Sequence, residues 1–217
     1  MRQAGGERRR YESLRRTTQA QETRAEIARA ARELFVARGW AATTVRDVAR
    51  EAGVSVPTVY ATYRNKTGLA LALADAADLS ADLPRLVSEL TSAEPRGQLA
   101  AMAAYDRRLY ERAGDVLQLV RDAGRTEPDL ATTYADGRRR ADETRREIFT
   151  SWPAGTLRVE VAQALDVYAA LCTIDAYTTL TVERGWSPDQ VQDWWAETLP
   201  QLLLAPERMA AWTQAST

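Results

Sequence analysis

Lys66 is the only lysine among 29 basic residues, in a chain that otherwise uses arginine throughout. Asn65 before it is a helix-capping type, so the ammonium is expected at a helix N-terminus, where the macrodipole disfavours a cation and favours an anion. A phosphate bound there would satisfy both the ammonium and the first-turn amides; a solvated lysine beside a cap is the plain alternative. Tyr60 is either a phenol donor to a phosphate or a half-buried packing residue. Asp175 lies in an otherwise apolar stretch and requires a partner: an arginine of the same body or of a second subunit, a hydroxyl, or a ligand group. Helical spacing sets Tyr168 and Thr179 beside it, with Tyr105, Tyr110 and Trp152 as aromatic candidates for the other walls of a small-molecule pocket. Much of ordinary enzymology is removed. There is no histidine, no phosphate loop, no nucleophile elbow and no paired metal-ligand motif, so no catalytic residue, cofactor or metal site is expected. Cys172 is the single cysteine, cannot pair within the chain, and is expected as a small buried apolar side chain.

Charge separates the chain into two unlike parts. Residues 1–70 carry 14 basic and 7 acidic side chains, a balance of +7, whereas residues 71–217 stand at -8. A basic head on an acidic body points to a polyanionic partner for the head. No apolar run reaches the roughly 18 residues of a membrane span, and no secretory signal is readable behind the arginine-rich start; a cytoplasmic protein without a membrane partner is expected.

Positioning these groups falls to helices. Apolar residues recur at helical spacing, alternating strand patterns are missing, and the fold class is all-α. Residues 1–20, with Arg8, Arg9, Arg10, Arg15 and Arg16, read as a flexible basic arm. A first helix is expected from the pair Thr23 and Glu26, with Ile27, Ala31, Leu34 and Phe35 on one face and Gly39 at its end. Thr44 caps a second helix, Val45–Ala52, with Asp47 in its first turn; Gly53 stops it, and Ser55 with Pro57 opens a third that runs to about Tyr63. Asn65 caps a fourth, Lys66 to about Ala77. Further helices are expected over Gln98–Arg112, Val116–Ala123, Leu130–Trp152, Val159–Glu183 and Pro188 to about Leu204.

A turn as short as Gly53-Val54-Ser55 sets two helices at a steep angle, so that the third can enter a DNA major groove while the second braces it. Val45, Val48, Ala49, Val54 and Val59 would form their contact. That leaves Thr58, Thr62 and the Val56-Pro57 edge facing outward, with Tyr60 beside them. The stretch Thr23–Leu69, containing "TTVRDVAREAGVSVPTVYATYRNKTGL", resembles the N-terminal DNA-binding domain of TetR-family transcriptional regulators. The resemblance implies three units: the arm at 1–20, a helix-turn-helix domain at 21–68 and a ligand-binding and dimerisation domain at 69–217. It also implies base contacts from Val56, Pro57 and Thr58, and phosphate contacts from Thr44, Tyr60, Thr62 and Lys66, with Arg46 and Ser55 on the same DNA-facing surface. Pro57 departs from the glycine or lysine common there, and Thr62 from a larger histidine or tyrosine. The function implied is a repressor that binds double-stranded DNA at a palindromic operator and is released by a small-molecule effector; a nonspecific or architectural DNA-binding protein is the alternative.

In the body, Val159–Val182 is apolar all round and must be buried on several sides. One of its faces carries Val167, Ala170, Ile174 and Tyr177, and the last helix carries Trp194 and Trp195. In a monomer of this size both helices could be core; similarity to the family makes them a homodimer interface, which would join two recognition helices on one operator.

Overall fold

The computed structural model describes the backbone of residues 4–206 and, from residue 15 onward, their side chains except those of 16, 78 and 92. Among the described residues the chain folds into ten α-helices and no sheet, the one extended pairing being an isolated bridge between Leu157 and Leu204. The all-α expectation holds. The first helix, α1, spans Ala4–Ala42, so the backbone of residues 4–20 is helical where a flexible arm was expected. Thr23 and Glu26 accordingly lie inside a helix rather than at its start, and Glu26 pairs with Arg29 at 2.8 Å. Met1–Gln3 and the side chains of Arg8, Arg9, Arg10 and Arg16 lie outside the described residues. Gly39 interrupts the helix with φ 78°, a conformation that costs a residue with a side chain more than it costs glycine.

The next three helices follow the expected caps: α2 (Val45–Glu51), α3 (Val56–Tyr63) and α4 (Lys66–Ser80). Then come α5 (Leu83–Ser92), which the sequence pattern did not announce, α6 (Pro95–Ala123) and α7 (Pro128–Ser151). The expected pair Gln98–Arg112 and Val116–Ala123 is one helix. Gly114, which lies between the two expected segments, sits in its interior, and a methyl there would come within 2.8 Å of Ile174 Cδ1.

The expected single helix over Val159–Glu183 is broken. It forms α8 (Val161–Leu171), α9 (Ile174–Thr178) with a π-helical turn through Thr179–Glu183, and is followed by α10 (Pro188–Leu203). Cys172 adopts φ -93°, ψ 69° and Thr173 is extended, capping the amide of Ala176 with its hydroxyl. The Tyr110 hydroxyl donates to the carbonyl of Cys172 that the break leaves free, at 2.9 Å. Cys172 is buried, as expected.

Two apolar clusters hold these elements together, and α6 belongs to both. One joins α1–α4 to the C-terminal half of α6 through Ala113, Val116 and Val120 and to Leu130 of α7. The other joins the N-terminal half of α6, through Leu99 and Met102, to the end of α7 and to α8–α10, with Trp195 and Tyr168 fully buried. Polar links reinforce the first cluster. Arg32 of α1 makes a bidentate pair with Asp115 of α6, both contacts 2.7 Å, and Arg108 and Arg112 of α6 donate to the terminal carbonyls of Ala81 and Ser80 at the end of α4.

Candidate nucleic-acid interface and ligand cavity

The α2–α3 pair is built from small apolar side chains, four valines and one alanine. Val48, Ala49 and Val59 are buried, and Val45 and Val54 pack partly against the same cluster. Gly53 turns the chain at φ 65° and the amide of Val54 donates back to the carbonyl of Ala49 at 2.9 Å. Thr44 and Asp47 form a reciprocal capping box on α2, and the Thr44 hydroxyl and amide hold the Asp47 carboxyl below the usual carboxylate range. Ser55 caps α3, its oxygen accepting from the amide of Thr58 and lying 2.8 Å from the Thr58 hydroxyl.

The far end of α3 is fixed against α1. The Tyr63 hydroxyl donates to the carbonyl of Arg24 at 2.8 Å, and the Arg24 guanidinium lies over the Tyr63 ring. Between α3 and α4, Arg64 takes φ 64°, and Gly68 passes so close to Tyr63 that an added Cβ would stand 2.1 Å from its carbonyl oxygen.

These contacts leave Thr44, Arg46, Ser55, Pro57 and Tyr60 exposed and Val56, Thr58 and Thr62 half-buried around α3. Tyr60 is 50% exposed. The Thr62 hydroxyl donates back to the Thr58 carbonyl at 2.8 Å. Lys66 sits differently from the rest. Its ammonium donates to the carbonyl of Trp40 and lies 4.1 Å from the centre of the Trp40 ring. Lys66 therefore ties α4 to the end of α1, and burial lowers its pKa from the ordinary lysine value.

In the body, a cavity of about 820 Å³ opens between α4, α5, α6, α7 and the α8–α9 break. Its walls are largely apolar, including Leu86, Met102, Leu109, Leu117, Ile148 and Ile174. Of the expected pocket residues, Tyr105 and Tyr110 line it and Trp152, Tyr168, Asp175 and Thr179 do not. Trp152 is in the core, donating from Nε1 to Gln98 and packing on Phe149. Thr179 belongs to the π-helical turn. Asp175 takes an arginine of the same body, one of the partners left open for it, and no place in the cavity. It is exposed at the start of α9 and makes a bidentate pair with Arg121 at 2.7 and 2.8 Å. The helical wheel that set it beside Tyr168 fails because the helix breaks at Cys172 and Thr173, between the two.

The buried acid of the cavity is instead Asp106, which lines it while being only 3% exposed. Arg145 of α7 donates through Nη2 to both its carboxylate oxygens, at 3.2 and 3.0 Å, and Tyr168 of α8 donates its hydroxyl at 2.9 Å. The Arg145 guanidinium also contacts Asp142 at 3.2 Å and stacks 4.4 Å above the Tyr168 ring. Burial raises the Asp106 carboxyl above its usual range against the pull of Arg145 and Tyr168, while burial opposes the Arg145 charge and the Asp106 carboxylate more than offsets it. The sequence carried a signal for this site: Asp106 continues the Leu99, Met102, Ala103 stripe of α6, an acid on a core face.

The expected dimer residues divide. Ile174, Tyr177 and Trp195 are buried in the chain's own core, because the α8–α9 break resets the helical phase and turns Ile174 and Tyr177 inward. Ala170 is exposed, and Val167 and Trp194 are half-buried.

Residues 27–73 match the family model of bacterial regulatory proteins of the tetR family. The HTH-type transcriptional regulator TtgR of Pseudomonas putida is 48% identical over 63 residues, 29% of this chain and 30% of that relative, so the match spans under a third of its length. The fold extends over nearly the whole chain. A Saccharomonospora viridis protein described as a transcriptional regulator, in complex with choline, is 23% identical with a TM-score of 0.69, covering 85% of this chain and 99% of its own. A Rhodococcus RHA1 bacterial regulatory protein of the tetR family is 20% identical with a TM-score of 0.70, covering 84% and 98%. The helix-turn-helix segment thus matches the tetR family model over residues 27–73, and the fold is shared with these solved structures over most of the chain's length.

Proposed function

We propose that the chain is a sequence-specific, DNA-binding transcriptional regulator whose hold on its operator is released by a small molecule in the body cavity. The observation that carries the reading is the α2–α3 pair: buried valines and Ala49 fix the angle of α3, and an exposed polar surface from Thr44 to Tyr60 is left beside it. In this arrangement Val56, Pro57 and Thr58 meet bases, and Thr44, Arg46, Ser55, Tyr60 and Thr62 meet the backbone. Lys66 acts mainly through Trp40, holding α4 on α1 and so the orientation of α3. The arm and head span residues 1–68 and the body 69–217.

Release needs a path from cavity to head, and α6 supports one. Its Tyr105, Asp106 and Tyr110 line the cavity, while Arg108, Arg112 and Asp115 grip the end of α4 and Arg32 of α1. A ligand that favours one position of α6 over another therefore biases the head through rigid links. A protein of the same fold holds choline, which supports reading the cavity as a ligand site. Homodimerisation through Val167, Ala170 and Trp194 places two α3 helices on a palindromic operator.

Competition binding tests the reading. The purified chain should prefer its own upstream DNA over random duplex by about 10³-fold or more at physiological salt. Arg46→Ala should weaken all DNA binding and flatten its salt dependence, whereas Thr58→Ala should alter site preference. Equal affinity for both duplexes would favour the nonspecific DNA-binding alternative.

A further inference from the structure

The cavity contains a fully buried acid that is already matched to a cation. An unpaired carboxylate in an apolar cavity would call for a cationic ligand, since an isolated buried charge is strongly unfavourable. Asp106 has its counter-charge built in: Arg145 meets both of its oxygens, and Tyr168 adds a neutral donor. The remaining charged residues on the cavity wall, Asp75, Asp136, Arg138, Arg140 and Asp142, are exposed or half-exposed and carry both signs. Asp142 shares Arg145 with Asp106, and Arg138 adds its positive field at Asp106, so at the deep end two acids face two arginines. An ionised head brought beside Asp106 and Arg145 loses its hydration and finds each charge already answered.

Hydrogen-bond capacity is left over. A carboxylate offers about four acceptor sites, and Asp106 receives three contacts, the one on Oδ1 the longest at 3.2 Å. Tyr110, on the same wall, has its hydroxyl committed to the Cys172 carbonyl and competes little for the acid. We propose that the cavity selects an uncharged, largely apolar compound bearing a hydroxyl, of the phenol or alcohol class, which donates to the Asp106 carboxylate. Charge closure at Asp106 sets the selectivity, and the apolar walls supply most of the affinity. The proposal rests on the ligand-cavity reading above and names the chemistry of that same site.

Four compounds with one apolar body test it: biphenyl, para-phenylphenol, para-phenylbenzylammonium and para-phenylbenzoate, each titrated calorimetrically into the full chain without DNA. The phenol should bind about tenfold tighter than each of the other three, the expected size of one hydrogen bond to a buried carboxylate. The ammonium binding tightest would show that Asp106 is free to take a cation, and the benzoate binding tightest would put the arginines in charge; either overturns the proposal. Binding of the phenol no tighter than biphenyl overturns it as well, and no binding by any of the four overturns the ligand-cavity reading itself. The triple variant Asp106→Leu, Arg145→Met, Tyr168→Phe removes the whole buried network without leaving a charge unpaired. It should bind biphenyl as the parent does and lose the tenfold advantage of the phenol. Because no DNA is present, failure here is separable from failure of the operator-binding reading.

Discussion

Three helical glycines should respond to the same Gly→Ala substitution with three different results, because each meets different atoms. Alanine in a helix is favoured over glycine by at most about 1 kcal/mol, so propensity alone predicts stabilisation in all three. At Gly68 the new methyl would stand 2.1 Å from the Tyr63 carbonyl oxygen and 3.2 Å from its carbon, more than about 1 Å inside ordinary contact. That oxygen is backbone, and it also accepts the amide of Asn65 at 2.7 Å, so α3 and α4 must separate. Overpacking of this kind costs about 1–3 kcal/mol; with backbone as the blocking atom the cost lies near about 3 kcal/mol, and less the propensity gain of about 1 kcal/mol the net loss for Gly68→Ala is about 2 kcal/mol, or roughly 5 °C in Tm for a chain of this size. At Gly114 the nearest atom is Ile174 Cδ1 at 2.8 Å, the end of a flexible side chain that can rotate away, and the two effects should nearly cancel. At Gly137 the nearest atom is the Arg140 Nη2 at 3.9 Å, so propensity acts unopposed and Tm should rise by about 2 °C. Thermal unfolding of the three variants at one protein concentration gives the order Gly137→Ala, Gly114→Ala, Gly68→Ala. Gly68→Ala unfolding at or above the temperature of Gly137→Ala would refute the close approach of α3 and α4.

Other outcomes follow from burial and pairing. Burial holds the Cys172 thiol and the Tyr110 and Tyr168 phenols above their ordinary values; the folded chain keeps protons that the unfolded chain releases, so stability is fully present below about pH 8.5 and should fall as pH rises beyond it. A Tm constant to about pH 10.5 would contradict this. Asp175→Asn should change stability by less than about 1 kcal/mol, since its pair with Arg121 is largely exposed, and urea unfolding would expose a larger effect. Ala170→Asp should yield a folded monomer in sedimentation, whereas Ile174→Asp buries a charge against Gly114 and should fail to fold; two folded proteins of the same size would overturn the division of those residues between surface and core.

What the sequence determined by itself is the local grammar of the head. Thr44, Ser55 and Asn65 cap the helices they precede, because a side-chain oxygen satisfies an amide within three residues regardless of what lies elsewhere. Gly53 takes the positive φ that ends α2 and Gly39 the one that kinks α1, and Val48, Ala49 and Val59 fall inside, as their spacing required. The body was decided by partners distant in sequence. The continuity of Val159–Glu183 gave way to a break whose free carbonyl Tyr110 caps, and the acid of the cavity is Asp106, paired with Arg145, while Asp175 meets Arg121 at the surface. Periodicity extrapolates a helical face in a straight line; two residues out of helical geometry at Cys172 and Thr173 change the phase of everything after them, and only the packing of α6 against that break fixes where the faces point.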